Sequence, residues 1–426
     1  MSFAPYPRYK DWLGPVGAVP EHWKLVPLKA VVSHNDEVLD ETTPTDKEIL
    51  YVDIAGVDGV AGVLTKESML FGTAPSRARR RVKDGDVLVS TVRTYLRAIV
   101  SIRQPEDNLV VSTGFAVLRS RGELISGYLG YVLSANYFVD EVIARSTGVS
   151  YPAINASELV AIPVAIPSCD EQLRITAFLD AETAKIDALV AEQKRLIELL
   201  MEKRHAVISH AVTKGLNPDA SMKPSGVEWL GDVPNHWQLI RMRFLCDIQT
   251  GSRDTENAVE DGQYPFFVRS QTVERIDTAA FDCEAVLTAG DGAGVGKVFH
   301  YFSGPFDFHQ RVYMLNNFRQ IGGRFLFLFL KENFFKVALA GGAKSTVDSL
   351  RRPMLTNFWV CVPPIEEQAN IIDAIEHGST RFDGLIAEAE RAIALLLDRR
   401  TAVISAAVTG KIDVRGYTVA EGTEAA

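Results

Sequence analysis

The chain is poor in cysteine, in long apolar runs and in positive charge. Its four cysteines, Cys169, Cys246, Cys283 and Cys361, are far apart in 426 residues and show no paired metal-ligand spacing. No metal site is expected from them, and a reduced, cytoplasmic protein is the simple reading. No run of about eighteen apolar residues occurs, so no membrane span is expected. The opening stretch MSFAPYPRYKDW lacks the apolar core of a secretion signal. Lys and Arg number 45 against 54 Asp and Glu, a net charge of −9. Taken as a sum, that charge argues against a nucleic-acid partner.

Catalytic motifs are missing as well. Adenine methylation uses an Asn/Asp-Pro-Pro motif ending in an aromatic residue. The only Pro-Pro here, Pro363-Pro364, sits in VPPIEEQ and reads as a helix entry. No carboxylate and lysine set with nuclease spacing stands out. The stretch GDGAGVGK, Gly290 to Lys297, imitates a phosphate loop but has Asp291 where the first glycine belongs and Val298 after the lysine. A dinucleotide fingerprint would need a helix directly after it, whereas KVFHYF reads as a strand. A tight turn between strands is expected, with Lys297 close to a phosphate. His205 and His210 are five apart, which does not set them on one helix face for a metal. No catalytic and no metal-binding residues are expected in this chain.

What is present is repetition. AVISHAVT at Ala206–Thr213 returns as AVISAAVT at Ala402–Thr409, 196 positions later. Aligned at that offset, Glu171–Thr213 and Glu367–Thr409 share 19 of 43 residues, against roughly one in sixteen from average usage. Asp187, Leu189, Glu192, Arg195, Ile197, Leu200 and Arg204 all have identical partners. Apolar steps of three, four or seven predict a helix over about 172–212, roughly 60 Å long. Its packing stripe is read as Ile186, Leu189, Leu196, Leu200 and Val207, matched by Phe382, Leu385, Leu396 and Val403. Gly378 and Gly384 lower helix propensity, so the second copy is expected to begin as a short separate turn. A looser repeat stands upstream of each helix: WLGPVGAVPEHW at Trp12–Trp23 and WLGDVPNHW at Trp229–Trp237.

Between head and helix lie blocks that hardly match in sequence. Strands are expected over 86–90, 98–102 and 115–118, and over 285–288, 297–301 and 311–315. Helices are expected over 128–144 and 324–340. The fold class is α/β (α+β), with two globular blocks, two long antiparallel helices and a pseudo-two-fold internal repeat. The boundaries are 1–168 for head and first block, 169–216 for the central helix, 217–364 for linker, second head and second block, and 365–426 for the last helix and tail.

The alternation, the EQ openings at Glu171-Gln172 and Glu367-Gln368, the AVISxAVT closings and the WLG…P…HW heads resemble the specificity subunit of type I restriction–modification systems. The resemblance covers essentially the whole chain. It implies that each divergent block is a target recognition domain reading one half of a split, asymmetric DNA sequence. It implies that the helices space the readers and dock two methyltransferase subunits, with restriction subunits joining the assembly. S-adenosylmethionine, ATP and Mg would sit on those partners, with none in this chain. Competing readings are a self-sufficient nucleotide-binding or DNA methyltransferase enzyme, and a coiled-coil scaffold without DNA specificity.

Local chemistry picks the candidate DNA contacts, since Arg reads guanine, Asn and Gln read adenine, and Lys, Arg, Ser and Thr hold phosphate. Charge acts where it is clustered. From Arg77 to Arg103 the chain is basic, whereas Asp36 to Asp58 is mostly acidic. In the first block the candidates are Arg77, Arg79, Arg80 and Arg81 as an electrostatic loop. Arg93, Tyr95 and Arg97 follow, then Ser146, Thr147, Ser150 and Tyr151. In the second block they are Arg269, Ser270, Gln271, Lys297, His309, Gln310 and Arg311, then Lys344, Ser345, Thr346, Arg351 and Arg352.

Overall fold

The computed structural model describes residues 4–12, 14–338 and 349–417. The chain divides into two compact units, Met1–Lys194 with Glu390–Ala426, and Arg195–Ala389. Each unit therefore takes its long-helix segments from both copies of the repeat.

In the first unit a four-stranded antiparallel sheet runs in the order Ile99–Ser101, Val87–Ser90, Phe115–Ser120, Val32–His34. Val87–Ser90 is central and buried at every position, which suits its unbroken apolar run. A second sheet runs Glu67–Leu70, Glu48–Val52, Leu109–Ser112, Ala78–Arg81, with its middle pair parallel. The helical stretch expected over 128–144 is two helices, Ser126–Ser134 and Asn136–Arg145, broken at the extended Ala135.

The second unit keeps one six-stranded sheet, ordered Asp247–Thr250, Val312–Asn316, Phe281–Ala289, Phe299–Phe308, Tyr264–Phe267, Glu274–Ile276. Its first four strands repeat the order of the first unit's antiparallel sheet. Phe281–Ala289 and Phe299–Phe308 form a continuous hairpin paired from Phe281–Phe306 to Thr288–Phe299. The stretch expected over 324–340 is helical at Gly323–Asn333 and Phe335–Ala338.

Each block is closed by a strand pair that brings its entry and exit together: Lys24–Pro27 with Pro163–Ile166, and Gln238–Arg241 with Trp359–Val362. The EQ motif sits just after that exit. Gln172 Nε2 donates to Pro167 O and Glu123 O, and its Oε1 accepts Ile125 N–H at the start of a helix. Gln368 repeats this with Pro363 O, Gln320 O and Gly322 N–H. A buried amide that satisfies three backbone groups is hard to replace. The heads match too: Lys10 donates to Trp23 O and Lys223 to Trp237 O, and both tryptophans are fully buried.

The long helices run Cys169–Lys214 and Ile365–Val408. The second is continuous through Gly378 and Gly384, so the expected separate turn is absent; packing of its apolar face outweighs the low propensity of two glycines. In the first unit, Ile175, Phe178 and Leu179 from the start of the first helix share a core with Ile404, Ala407 and Val408 from the end of the second. In the second unit, Ile371 and Ile375 share a core with Ile208, Ala211 and Val212. The echoing AVISxAVT phrase is thus core lining, and each copy lines the unit that holds the other copy's EQ opening.

Within each unit the helices are antiparallel. Arg400 bonds Asp187 at 2.9 Å, while Arg174 reaches Arg415 O. In the other unit Arg204 meets Asp383 at 2.9 Å. These two ion pairs are images of each other at the 196-residue offset. The packing stripe needs correction by one residue. Ile186 is buried and Leu200, Phe382, Leu396 and Val403 are half-buried, but Leu189, Leu196, Val207 and Leu385 are exposed. The inward stripe is Ile186, Val190, Gln193, Ile197, Leu200, Arg204 and Ile208, in steps of four and three. Its counterpart is Phe382, Ile386, Ala389, Ile393, Leu396, Arg400 and Ile404. Several adjacent leucines left two stripes possible, and the alternation of three and four fixes the inner one.

Candidate nucleic-acid interface

The divergent blocks present loops from the same seat. In the first, Ile154 N donates to Thr91 O at 3.0 Å and Val92 bridges Ala153. In the second, Leu350 N donates to Gly290 O at 2.8 Å and Asp291 bridges Ser349. These contacts make Thr91–Ala98 and Gly290–Val298 counterparts. TVRTYLRA and GDGAGVGK are two fillings of one position.

The first filling is a 3-10 turn, Thr94–Leu96, between Arg93 and Arg97, both left-handed at φ 53°. Non-glycine residues seldom adopt that region, and it concentrates at functional sites. Thr94 is buried and its hydroxyl lies 2.8 Å from Ser146 Oγ. Tyr95 and Leu96 point outward, 52% and 53% exposed. Beside them Thr147 pairs with Ala153 in a small hairpin. It carries exposed Ser150 and Tyr151, with Arg93 stacked 4.8 Å from the Tyr151 ring. Arg97 is tethered to Asn136 at 3.1 Å and Asp140 at 3.5 Å. Six of the seven candidates here thus share one surface, while Ser146 supports it from behind. Leu96 and Val149 belong to it and were not singled out from sequence, where an exposed apolar side chain gives no signal.

The second filling is charged and close-fitting. Asp291 is buried and takes Arg269 at 3.0 Å and Arg311 at 2.7 Å. Burial pushes its carboxyl up, but the two guanidiniums outweigh that and hold it below the usual carboxylate range. A Cβ at Gly294 would stand 2.5 Å from Arg269 O, and one at Gly290 2.7 Å from Arg311 O, so the glycines let the loop lie on both arginines' backbones. The stretch joins two strands through a short 3-10 turn, Gly292–Gly294, with no helix following. Gln271 and Lys297 are exposed. Ser270 is partly occupied locally, bonding Thr272 O. Gln310 donates to Asp254 at 2.5 Å. Arg351 caps a short helix, and Arg352 donates to Ile248 O.

Two groups of candidates need correction. His309 is buried; its Nδ1 accepts Arg311 N–H at 2.9 Å and its Nε2 lies 3.4 Å from Asp254, so it organises the turn from inside. The run at Arg77–Arg81 is a strand, not a loop, over Ala78–Arg81. Arg77 pairs with Asp53 at 2.6 Å, Arg81 with Glu37 at 3.7 Å, and Lys83 also with Glu37. Arg79 stacks on Phe71, and Arg80 reaches inward to Asn35 and Phe115 O, where burial lowers its pKa. The two stretches that looked segregated thus meet in part, at Asp53 and Glu37. Lys344, Ser345 and Thr346 lie outside the described residues.

Among the described residues no His, Cys, Asp or Glu group is arranged to hold a metal, and no helix is long and apolar enough to cross a membrane.

The chain is similar to known proteins. Residues 234–388 match the type I restriction modification DNA specificity domain. Parts of the chain are similar to specificity subunits of type I restriction enzymes. It is 31% identical over 182 residues to the EcoDI specificity subunit of Escherichia coli, covering 43% of this chain and 40% of that one. It is 23% identical over 331 residues to the MjaVIII specificity subunit of Methanocaldococcus jannaschii, covering 72% and 75%. The chain thus spans two fifths of the first relative's length and three quarters of the second's. A solved chain from work on complex assembly and conformational transition of the type I R-M system superposes with a TM-score of 0.68. At 22% identity, over 92% of this chain and 99% of that one, it shares the mixed α/β fold.

Proposed function

We propose that this chain is the DNA-recognition subunit of a type I restriction–modification complex and is not itself catalytic. Each block reads one half of a bipartite, asymmetric target. The observation that supports this best is one seat with two fillings: equivalent scaffolds present TVRTYLRA in one block and GDGAGVGK in the other. Constant scaffold suits a shared partner, and divergent loops suit two different half-sites. The repeated helices dock two methyltransferase subunits, and restriction subunits add to that assembly. S-adenosylmethionine, ATP and Mg belong to those partners. The proposed domains are 1–168 and 217–364 as readers and 169–216 and 365–426 as spacers.

The test is to map methylated adenines in host DNA with and without this chain, its modification subunits present. A split motif that appears only with the chain is expected, and exchanging residues 240–350 for another block should change one half of it. Changes in both halves would contradict independent readers. Stoichiometric binding of S-adenosylmethionine or ATP by the isolated chain would overturn the non-catalytic reading. Lengthening the first long helix should widen the spacer between half-sites.

A further inference from the structure

We propose that the first block reads thymine C5 methyl groups in the major groove, with Tyr95, Leu96 and Val149 as the contacting residues. This rests on the proposed role in DNA recognition and names the chemistry one half-site must offer. Four large apolar side chains stand exposed on two adjoining loops: Tyr95, Leu96, Tyr151 and Val149, the last 102% exposed. The turn that carries Tyr95 and Leu96 is anchored, and so is Tyr151. Two left-handed arginines bracket the turn, Thr94 is buried beneath it, and Tyr151 is pinned under Arg93. Exposed apolar side chains gathered on adjoining loops are the kind of surface that marks an interaction site.

The counterpart loop decides what that partner is. Gly290–Val298 carries no exposed large apolar side chain, since Val295 and Val298 are buried. A subunit that docks alike on both repeats could not rely on Tyr95 and Leu96, which have no exposed large apolar counterpart within Gly290–Val298. The patch belongs with what differs between the two halves, and the DNA half-sites are what differ. In the major groove the thymine C5 methyl is the one bulky apolar group; cytosine offers only a C–H at that place. An apolar surface there strips water from donors and acceptors it cannot satisfy, so it favours thymine and rejects the other bases. Arg93, a cation at the patch, complements the phosphates on either side.

The experiment uses the full chain assembled with its modification subunits, and the mapped target duplex with deoxyuridine replacing thymidine one position at a time. In the first block's half-site, assigned by block exchange, at least one replacement should weaken binding about fourfold, the effect of one buried methyl. Leu96→Ala with Tyr95→Ala, and separately the surface change Val149→Ser, should bind the thymine and uracil duplexes equally. Replacements in the second half-site should cost these variants and the parent the same. The proposal is overturned if thymine and uracil duplexes bind alike to the parent complex. It is equally overturned if the variants keep the discrimination but lose the modification subunits, which would make the patch a protein-docking surface. Absence of any split-target binding by the parent would instead remove the recognition role itself.

Discussion

The two blocks are built on one plan and differ in how a single hairpin is treated. In the second block Phe281–Ala289 and Phe299–Phe308 pair without interruption, and one six-stranded sheet results. In the first block the equivalent hairpin is broken. Val87–Ser90 pairs with Ile99–Ser101, Ala78–Arg81 pairs with Leu109–Ser112, and two sheets result. The break falls at Lys83-Asp84-Gly85 and Arg103–Asn108. There a buried Asp86 takes Arg119 in two bonds of 2.7 and 2.8 Å and also accepts Lys83 N–H. An ion-paired joint thus interrupts the ladder where the second block keeps it, through Asp282–Pro305, Cys283–Gly304 and Glu284–Ser303. The two blocks differ in their frames as well as in their loops, while their junctions with the long helices are alike.

The largest effect should come from those junctions. Gln172→Ala and Gln368→Ala each remove three hydrogen bonds and strand buried backbone groups, at a cost of about 2–4 kcal/mol. The two values should agree within about 1 kcal/mol. Hydrogen exchange at Ile125 and Gly322 reports the two sites separately. If either variant were tolerated, the junctions would not be equivalent.

The buried tryptophans should part company. Trp23 Nε1 donates to Glu171 at 3.1 Å, and Glu171 also takes Tyr6 and His22. Trp237 Nε1 is buried without a hydrogen-bond partner among the described residues, and Glu367 is held by His236. Trp23→Phe should therefore cost about 1–2 kcal/mol more than Trp237→Phe in chemical denaturation. Equal losses would mean that the Glu171 contact contributes nothing.

Asp291→Asn tests the charged filling. It loosens the hold on Arg269 and Arg311 while keeping the shape. Affinity for the second half-site should fall roughly tenfold, with the first half-site unaffected. Acid should mimic the change. Because the carboxyl is held below its ordinary value, the clamp is complete above about pH 4 and is lost as pH falls through that lowered value. A second half-site that titrates near neutrality would contradict this.

How legible was the molecule? The repeat announced the helices and the pairing of the two copies, because identity at Glu171, Gln172 and Arg204 reflects partners that recur in space. Element types followed from apolar runs. The helix stripe came out one residue off, since Leu189, Leu196 and Leu199 offered an outer face as apolar as the inner one. The Arg77–Arg81 run misled because its neutralising acids, Glu37 and Asp53, lie some forty and twenty-four residues away. His309 misled because polarity alone does not tell a buried organiser from a reader. The equivalence of TVRTYLRA and GDGAGVGK was invisible in sequence: it rests on backbone bonds, Ile154 to Thr91 and Leu350 to Gly290, which any residues can make.

The helices themselves offer a smaller test. Gly378 and Gly384 stand where the first copy has Glu182 and Ala188, and a Cβ at either meets nothing within 4 Å. Changing each to Ala should stabilise the second unit by roughly 0.5–1 kcal/mol, seen as a higher urea midpoint. No gain would mean that helix propensity at these two positions does not limit the stability of the second unit.

The finest distinction lies between the mirrored ion pairs. Arg400–Asp187 is sheltered, with Arg400 16% exposed, whereas Arg204 and Asp383 are 35% and 57% exposed. Water screens the second pair, so Arg204→Met should cost about 0.3 kcal/mol and Arg400→Met about 1 kcal/mol. Exchanging the charges, Asp187→Arg with Arg400→Asp, should recover part of the loss if attraction matters, and none if the Arg400 stem only fills space. The residues are identical and their places in the repeat are the same. Any measured difference is therefore the contribution of the surrounding block, which is where the two halves of the chain have been free to change.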